Sequence, residues 1–74
     1  MNHTSIEIDK NKEYEKQFIL AKAIEFLADY FNKKGEEPKV LEYYYKSLNI
    51  FSKTRYYFEQ GKLEEKIADF LSSS

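Results

Sequence analysis

Apolar residues in the first half of the chain recur at intervals of four and three positions, which is the period of an α-helix. Two adjacent series share this period: Leu20, Ile24, Leu27 and Phe31, and one step round, Ile19, Ala23, Phe26 and Tyr30. Charged residues at the intervening positions form a polar stripe: Lys22, Glu25, Asp29 and Lys33. So wide an apolar arc needs cover from more than one neighbouring element.

The first helix is predicted over residues 11–34. Lys33 and Lys34 place positive charge in its last turn, and Gly35 follows directly, which is typical of a helix end. Residues 1–10 are mostly polar, and we expect them to form a flexible N-terminal segment.

Pro38, preceded by two glutamates, indicates the start of a second helix, because proline and acidic residues are favoured in a first turn. This helix is predicted over residues 38–60 and ends at Gly61. Its two apolar stripes are Leu41, Tyr44, Leu48 and Phe51, and beside them Tyr43, Ile50 and Tyr57. A break near Ser52 is the alternative, since Ser52 or Thr54 is suited to begin a new helix.

A third, short helix is predicted over residues 62–71 from the spacing of Leu63, Ile67 and Phe70. No alternation typical of a β-strand competes with these patterns. The sequence therefore predicts one all-α domain over residues 11–74. We expect an antiparallel helical hairpin with a short third helix, a three-helix bundle.

The predicted hairpin resembles a tetratricopeptide repeat. With Gly35 as the anchor, the leucine, small residue and aromatic of the repeat's first helix correspond to Leu27, Ala28 and Phe31. The small, aromatic and small positions of its second helix correspond to Val40, Tyr44 and Ser47. The sequence departs from the repeat where Val40 and Ser47 replace alanines, and Ser52 stands where proline is usual. The resemblance implies two antiparallel helices that approach closely through small residues, with aromatic side chains filling the gap between them.

The chain is also similar to the microtubule-interacting and transport domain, a three-helix bundle of about this size. The residues that carry this similarity are Ala28, Gly35, the Tyr44, Ser47 and Leu48 group, and the Lys66, Asp69, Phe70 and Leu71 group. The loop before the last helix is shorter than in that family, and Asn32 replaces its aspartate. This resemblance implies a groove between the second and third helices that takes a partner helix.

The charge pattern argues against binding to nucleic acid or a membrane. Twelve basic residues face thirteen acidic ones, for a net charge of −1, and the signs alternate along the chain. A nucleic-acid binder usually shows a basic stripe, and Arg55 is the single arginine here.

The apolar runs are too short to span a bilayer, and there is no cysteine. We expect a soluble, cytoplasmic protein.

The sequence offers no recognisable catalytic, cofactor or metal site. His3, the single histidine, lies in the predicted flexible segment, and both glycines have the positions of helix ends rather than of a phosphate loop. We expect neither an enzyme nor a bound cofactor.

The seven tyrosines give the sharpest functional hypothesis. Three successive tyrosines occupy a wider arc of the helix surface than one neighbouring helix can bury: Tyr43, Tyr44 and Tyr45. Tyrosine is also enriched at protein interfaces. We expect a non-catalytic protein-interaction module or small regulator, with these partner-binding residues: Tyr43, Tyr45, Ile50, Tyr56 and Tyr57. The bound partner is then a helix or peptide of another protein, or a second copy. The alternative is a structural homo-oligomer, such as a homodimer, whose surplus aromatics form its own interface.

Overall fold

The structure, a computed structural model, describes the backbone of residues 2–73 and the side chains of residues 11–73. Within that part the chain forms three helices and no strand: α1 (Asn2–Lys34), α2 (Glu37–Ser52) and α3 (Tyr57–Ser73). The predicted all-α three-helix fold is confirmed.

The N-terminal boundary of α1 differs from the prediction, since the helix begins at Asn2 and not at Asn11. Residues 1–10, including His3, are predicted to form a flexible segment. Their side chains lie outside the described part of the structure, so this stays a prediction. The other end of α1 agrees with the sequence. Gly35 adopts a positive φ of 77°, which glycine alone reaches without steric cost.

The turn after α1 is a Schellman motif. The N–H of Glu36 donates to the carbonyl of Phe31 at 3.0 Å, and the N–H of Gly35 donates to that of Asn32 at 3.2 Å. Pro38 lies in the first turn of α2, as predicted. This turn reverses the direction of the chain, so α1 and α2 form a helical hairpin.

The predicted second helix is two helices, so the prediction of a helix over residues 38–60 is wrong and its alternative, a break near Ser52, is confirmed. Thr54 stabilises the break. Its hydroxyl donates to the carbonyl of Phe51 at 2.7 Å and accepts the N–H of Tyr56 at 3.2 Å, which closes α2 and begins α3. Gly61 therefore lies inside α3 and is not a helix end.

Small residues let α1 and α2 approach closely. Ala21, Ala28 and Val40 are fully buried, and the Ser47 hydroxyl donates to the carbonyl of Ala21 at 2.7 Å. Early residues of α1 meet late residues of α2, as in the edge-to-face contact of Phe18 with Phe51, so the pair is antiparallel.

Helix α3 packs against α2 and completes the core. Leu63 and Ile67 are buried in the same cluster as Tyr44 and Phe51. Tyr44 and Phe51 belong to the central stripe predicted for α2, whereas its other members, Leu41 and Leu48, are half-buried at the edge of the core.

Candidate interaction surface

A buried glutamate joins α1 to α3. Glu25 is only 3% exposed, and its carboxylate lies 2.7 Å from the ammonium of Lys66 and 3.3 Å from that of Lys22. A carboxylate is costly to bury unless it is paired and hydrogen-bonded, and Glu25 satisfies this condition through one cation from each helix. The packing of α3 on α1 therefore depends on charge as well as on apolar contact.

The cluster extends through Asp29 and Tyr44. The Asp29 carboxylate accepts the Tyr44 hydroxyl at 2.6 Å and the Lys66 ammonium at 3.0 Å. Burial of the Tyr44 ring, and then its hydrogen bond to Asp29, raise the pKa of the phenol well above its ordinary value. Tyr44 therefore remains a neutral donor at physiological pH.

Both lysines of the cluster are held in the charged form. Burial lowers the pKa of Lys66, but its hydrogen bonds to Glu25 and Asp29 outweigh burial, so the net shift is upward. The pKa of Lys22 is also raised, because Glu25 and Glu59 together overcome its partial burial. Glu59 lies 3.3 Å from Lys22 and ties the start of α3 to α1. We call Lys22, Glu25, Asp29, Tyr44, Glu59 and Lys66 the charged cluster.

The charged cluster turns most of the predicted polar stripe of α1 inward. Lys22, Glu25 and Asp29 belong to the predicted polar stripe, yet they face α3 and are buried or half-buried. Conversely, Leu20 and Leu27, from the series predicted to pack in the core, are about half exposed. This polar stripe can be buried because two helices each supply a cation to it. The sequence pattern of α1 alone does not show that α3 provides one of these cations.

Because the polar stripe faces inward, an apolar surface faces outward. Six exposed residues lie within one continuous arc of α1: Ile19, Leu20, Ala23, Phe26, Leu27 and Tyr30. We call this surface the outer face of α1. The Lys22 ammonium lies 5.5 Å above the ring of Phe26, and that of Lys34 lies 5.5 Å above the ring of Tyr30. The face thus has basic residues at its edges and apolar side chains along its centre.

The structure distributes the predicted partner-binding residues over separate places. Tyr43 stacks on Phe31 at 5.3 Å between ring centroids, Tyr56 packs on Phe18 at 4.7 Å, and Ile50 is half-buried beside the core. These three side chains contribute to packing within the chain.

The two remaining predicted residues are exposed. Tyr45 on α2 is 48% exposed and Tyr57 at the start of α3 is 72% exposed. The break in the predicted second helix separates Tyr57 from Tyr43 and Ile50, so the expected stripe of these three does not form on one helix. Whether Tyr45 and Tyr57 bind a partner stays a prediction.

A polar cleft of about 350 Å³ opens beside the charged cluster, where the end of α1, the start of α2 and the end of α3 meet. Asp29, Tyr44 and Lys66 line it and are hydrogen-bonded to one another. Within the described residues, no buried side-chain nitrogen or oxygen lacks a partner, and no three acidic, histidine or cysteine side chains are grouped to hold a metal. Through these hydrogen bonds, Asp29, Tyr44 and Lys66 connect all three helices.

No helix in the described part of the chain combines the length and the apolar character that crossing a bilayer requires. No family model matches the sequence, and neither the curated proteins nor the solved structures with which it was compared give a match.

Proposed function

We propose that this protein is a non-catalytic protein-interaction module, and that the outer face of α1 is its binding surface. The observation that carries the proposal is the outward position of this apolar face. A contiguous exposed apolar surface of several hundred Å² on a soluble chain is typical of a protein-binding site.

The distribution of exposed apolar side chains supports this location. Five of the nine large apolar side chains classed as exposed lie on the outer face of α1, and the other four are scattered: Tyr45, Tyr57, Phe58 and Leu71. Single exposed aromatics are ordinary on protein surfaces, whereas a cluster on one helix indicates an interface.

The rigidity of α1 supports the same role. The helix is held on one side by α2 and on another by the charged cluster, so its outer face is presented in a fixed conformation. A preorganised surface loses less conformational entropy on binding than a flexible one. The surface tyrosines predicted from the sequence, Tyr45 and Tyr57, form an alternative location for the same function.

A photoreactive amino acid placed in the chain tests the proposal in its native host. At position 23, the centre of the outer face, we expect a discrete cross-linked product on irradiation. The same probe at position 68, on an exposed part of α3, provides the control, and a probe at position 45 tests the tyrosine location. The product from position 23 is expected to disappear when Phe26→Glu is added. Equal labelling from positions 23 and 68, or labelling from position 45 alone, would show that the binding surface lies elsewhere.

A further inference from the structure

The central residues of the outer face have a symmetrical spacing. Ile19, Ala23, Phe26 and Tyr30 are separated by four, three and four positions, a pattern that is unchanged when the helix is reversed. An antiparallel copy of the same helix therefore presents the same series in register. A twofold dimer uses the same surface on both copies, so that surface must be complementary to itself, and this spacing is compatible with that condition.

We propose that the outer face of α1 binds a second copy of this chain, with the two α1 helices antiparallel about a twofold axis between Ala23 and Phe26. The inference rests on the proposed function of this face and names its occupant.

Side-chain size favours this arrangement. The axis places Ala23 opposite Phe26 of the second copy, twice by symmetry, so a large ring faces a small residue on each side of the centre. Ile19 then lies opposite Tyr30 of the second copy. Large side chains packed against small ones allow helices to interdigitate at close distance, as Ala21 and Ala28 already do against α2 within the chain.

The exposed area reaches the lower limit of a biological interface. The five large side chains of the outer face are between 46% and 67% exposed. With roughly 150–250 Å² for each large side chain, the face offers about 550 Å² per copy. Two copies therefore bury at most on the order of 1,100 Å², close to the ~1,000 Å² that a biological interface must clear.

Charges at one edge of the face are complementary in the same arrangement. Glu15 and Lys33 are both exposed and lie eighteen positions apart, about five full turns, so they occupy the same edge of α1. The antiparallel pairing brings Glu15 beside Lys33 of the second copy, again twice. On the other side of the central series, Lys16 approaches Lys34 of the second copy, a like-charged contact that opposes the pairing, and Lys34 lies over the ring of Tyr30 in its own chain. These basic residues at the rim can remain hydrated.

Sedimentation equilibrium over a wide concentration range tests whether the dimer forms. The weight-average mass of the wild type is expected to rise from 8.9 kDa towards twice that value. Phe26→Glu is expected to remain monomeric with unchanged helical circular dichroism, because Phe26 is 61% exposed in the single chain. The matched control Phe58→Glu alters a similarly exposed ring on α3 and is expected to dimerise as the wild type does. A wild type that stays monomeric at high micromolar concentration overturns the proposal, as does loss of the dimer in Phe58→Glu alone.

Charge exchange tests the antiparallel pairing. Glu15→Lys is expected to weaken the dimer by roughly three- to tenfold, and adding Lys33→Glu to the same chain is expected to recover most of this loss. A double variant weaker than Glu15→Lys would contradict the contact between Glu15 and Lys33.

Disulfide coupling gives a geometric test, since the chain contains no cysteine. Positions 19 and 30 are eleven residues apart, about 16 Å along the helix. A disulfide needs Cα atoms within about 7 Å of each other. In the antiparallel pair, neither Ile19→Cys alone nor Tyr30→Cys alone therefore forms a disulfide-linked dimer. A mixture of the two variants does form one, between position 19 of one copy and position 30 of the other. Self-coupling at both positions indicates a parallel pair and overturns the arrangement.

The two proposals can fail separately. Suppose that the wild type is monomeric but the probe at position 23 couples to a different protein in the host. The proposal that a second copy is the partner is then wrong, whereas the proposal that the outer face of α1 binds a partner stands. If neither self-association nor a specific cross-link is found, both proposals are wrong.

Discussion

Lys66 in α3 provides the closer of the two cations that pair with the buried Glu25. Removing it leaves Lys22 as the remaining partner of that carboxylate. We predict that Lys66→Met lowers the free energy of unfolding by about 2–3 kcal/mol at neutral pH, as measured by urea denaturation. The expected loss is below that of a fully buried pair, because Lys66 is itself partly exposed.

Two further variants separate the charge effect from lost packing. Adding Glu25→Met to Lys66→Met is expected to recover most of the stability, since the uncompensated charge is then removed. Lys46→Ala, which breaks the exposed pair with Glu42, is expected to change the free energy of unfolding by less than about 0.5 kcal/mol. Equal effects of Lys66→Met and Lys46→Ala would contradict the role given to the charged cluster.

Tyr44 makes the fold sensitive to alkali. Its folded-state pKa is raised by burial and by Asp29, so the unfolded chain, with a tyrosine pKa near 10, loses this proton first. Stability is therefore complete below about pH 10 and falls as the pH rises towards the folded-state pKa. The raised pKa values of Lys22 and Lys66 act in the same direction.

We predict that urea denaturation midpoints, followed by circular dichroism, fall steadily above about pH 10. Tyr44→Phe is expected to be less stable at neutral pH by about 1 kcal/mol, from the lost hydrogen bond, but to depend less on alkaline pH. An alkaline slope that is unchanged in Tyr44→Phe would mean that this phenol does not control the effect.

At the scale of the helices, the two glycines have opposite roles although the sequence predicts the same role for both. Gly35 has a positive φ and closes a Schellman turn, whereas Gly61 lies within α3, and a Cβ added there meets no atom within 4 Å. We predict that Gly35→Ala destabilises the protein by about 1 kcal/mol, because alanine is strained at positive φ. Gly61→Ala is expected to stabilise it by about 0.5–1 kcal/mol through higher helix propensity. Thermal unfolding of both variants checks this pair, and destabilisation by both would support a helix end at Gly61.

The helix boundaries were predictable where local chemistry determines them. Lys33, Lys34 and Gly35 mark the end of α1, and Pro38 marks the first turn of α2, because these residues act on the backbone beside them. The break after Ser52 was predictable only as an alternative. It depends on the two hydrogen bonds of Thr54, which compete with continued apolar spacing through Tyr57.

The candidate site was not predictable from the sequence, for a different physical reason. Both apolar series of α1 have helical spacing, and periodicity within one helix does not say which arc will be buried. That choice is made by Lys66, distant in sequence, which compensates the charge of Glu25 and Asp29. The second apolar series, with Ile19, Phe26 and Tyr30, was the available signal for the outer face.

At the scale of the whole molecule, the account depends on the rotation of α1 about its own axis. One side of the helix is polar and faces α3, and the opposite side is apolar and faces outward. The adjacent residues Glu25 and Phe26 represent the two sides, with exposed fractions of 3% and 61%. A helix rotated to bury its apolar side would exchange these values and leave no outer face for a partner.

The most direct test compares Glu25→Ala with Phe26→Ala by urea denaturation, at a concentration where sedimentation shows the wild type to be monomeric. We predict that Glu25→Ala lowers the free energy of unfolding by about 2 kcal/mol or more, because Lys22 and Lys66 lose their buried partner. Phe26→Ala is expected to change it by less than about 0.5 kcal/mol, because its ring contributes little to the core of the single chain. A large loss in Phe26→Ala with a small one in Glu25→Ala would show that the apolar side of α1 is buried, and would contradict both proposals for its outer face.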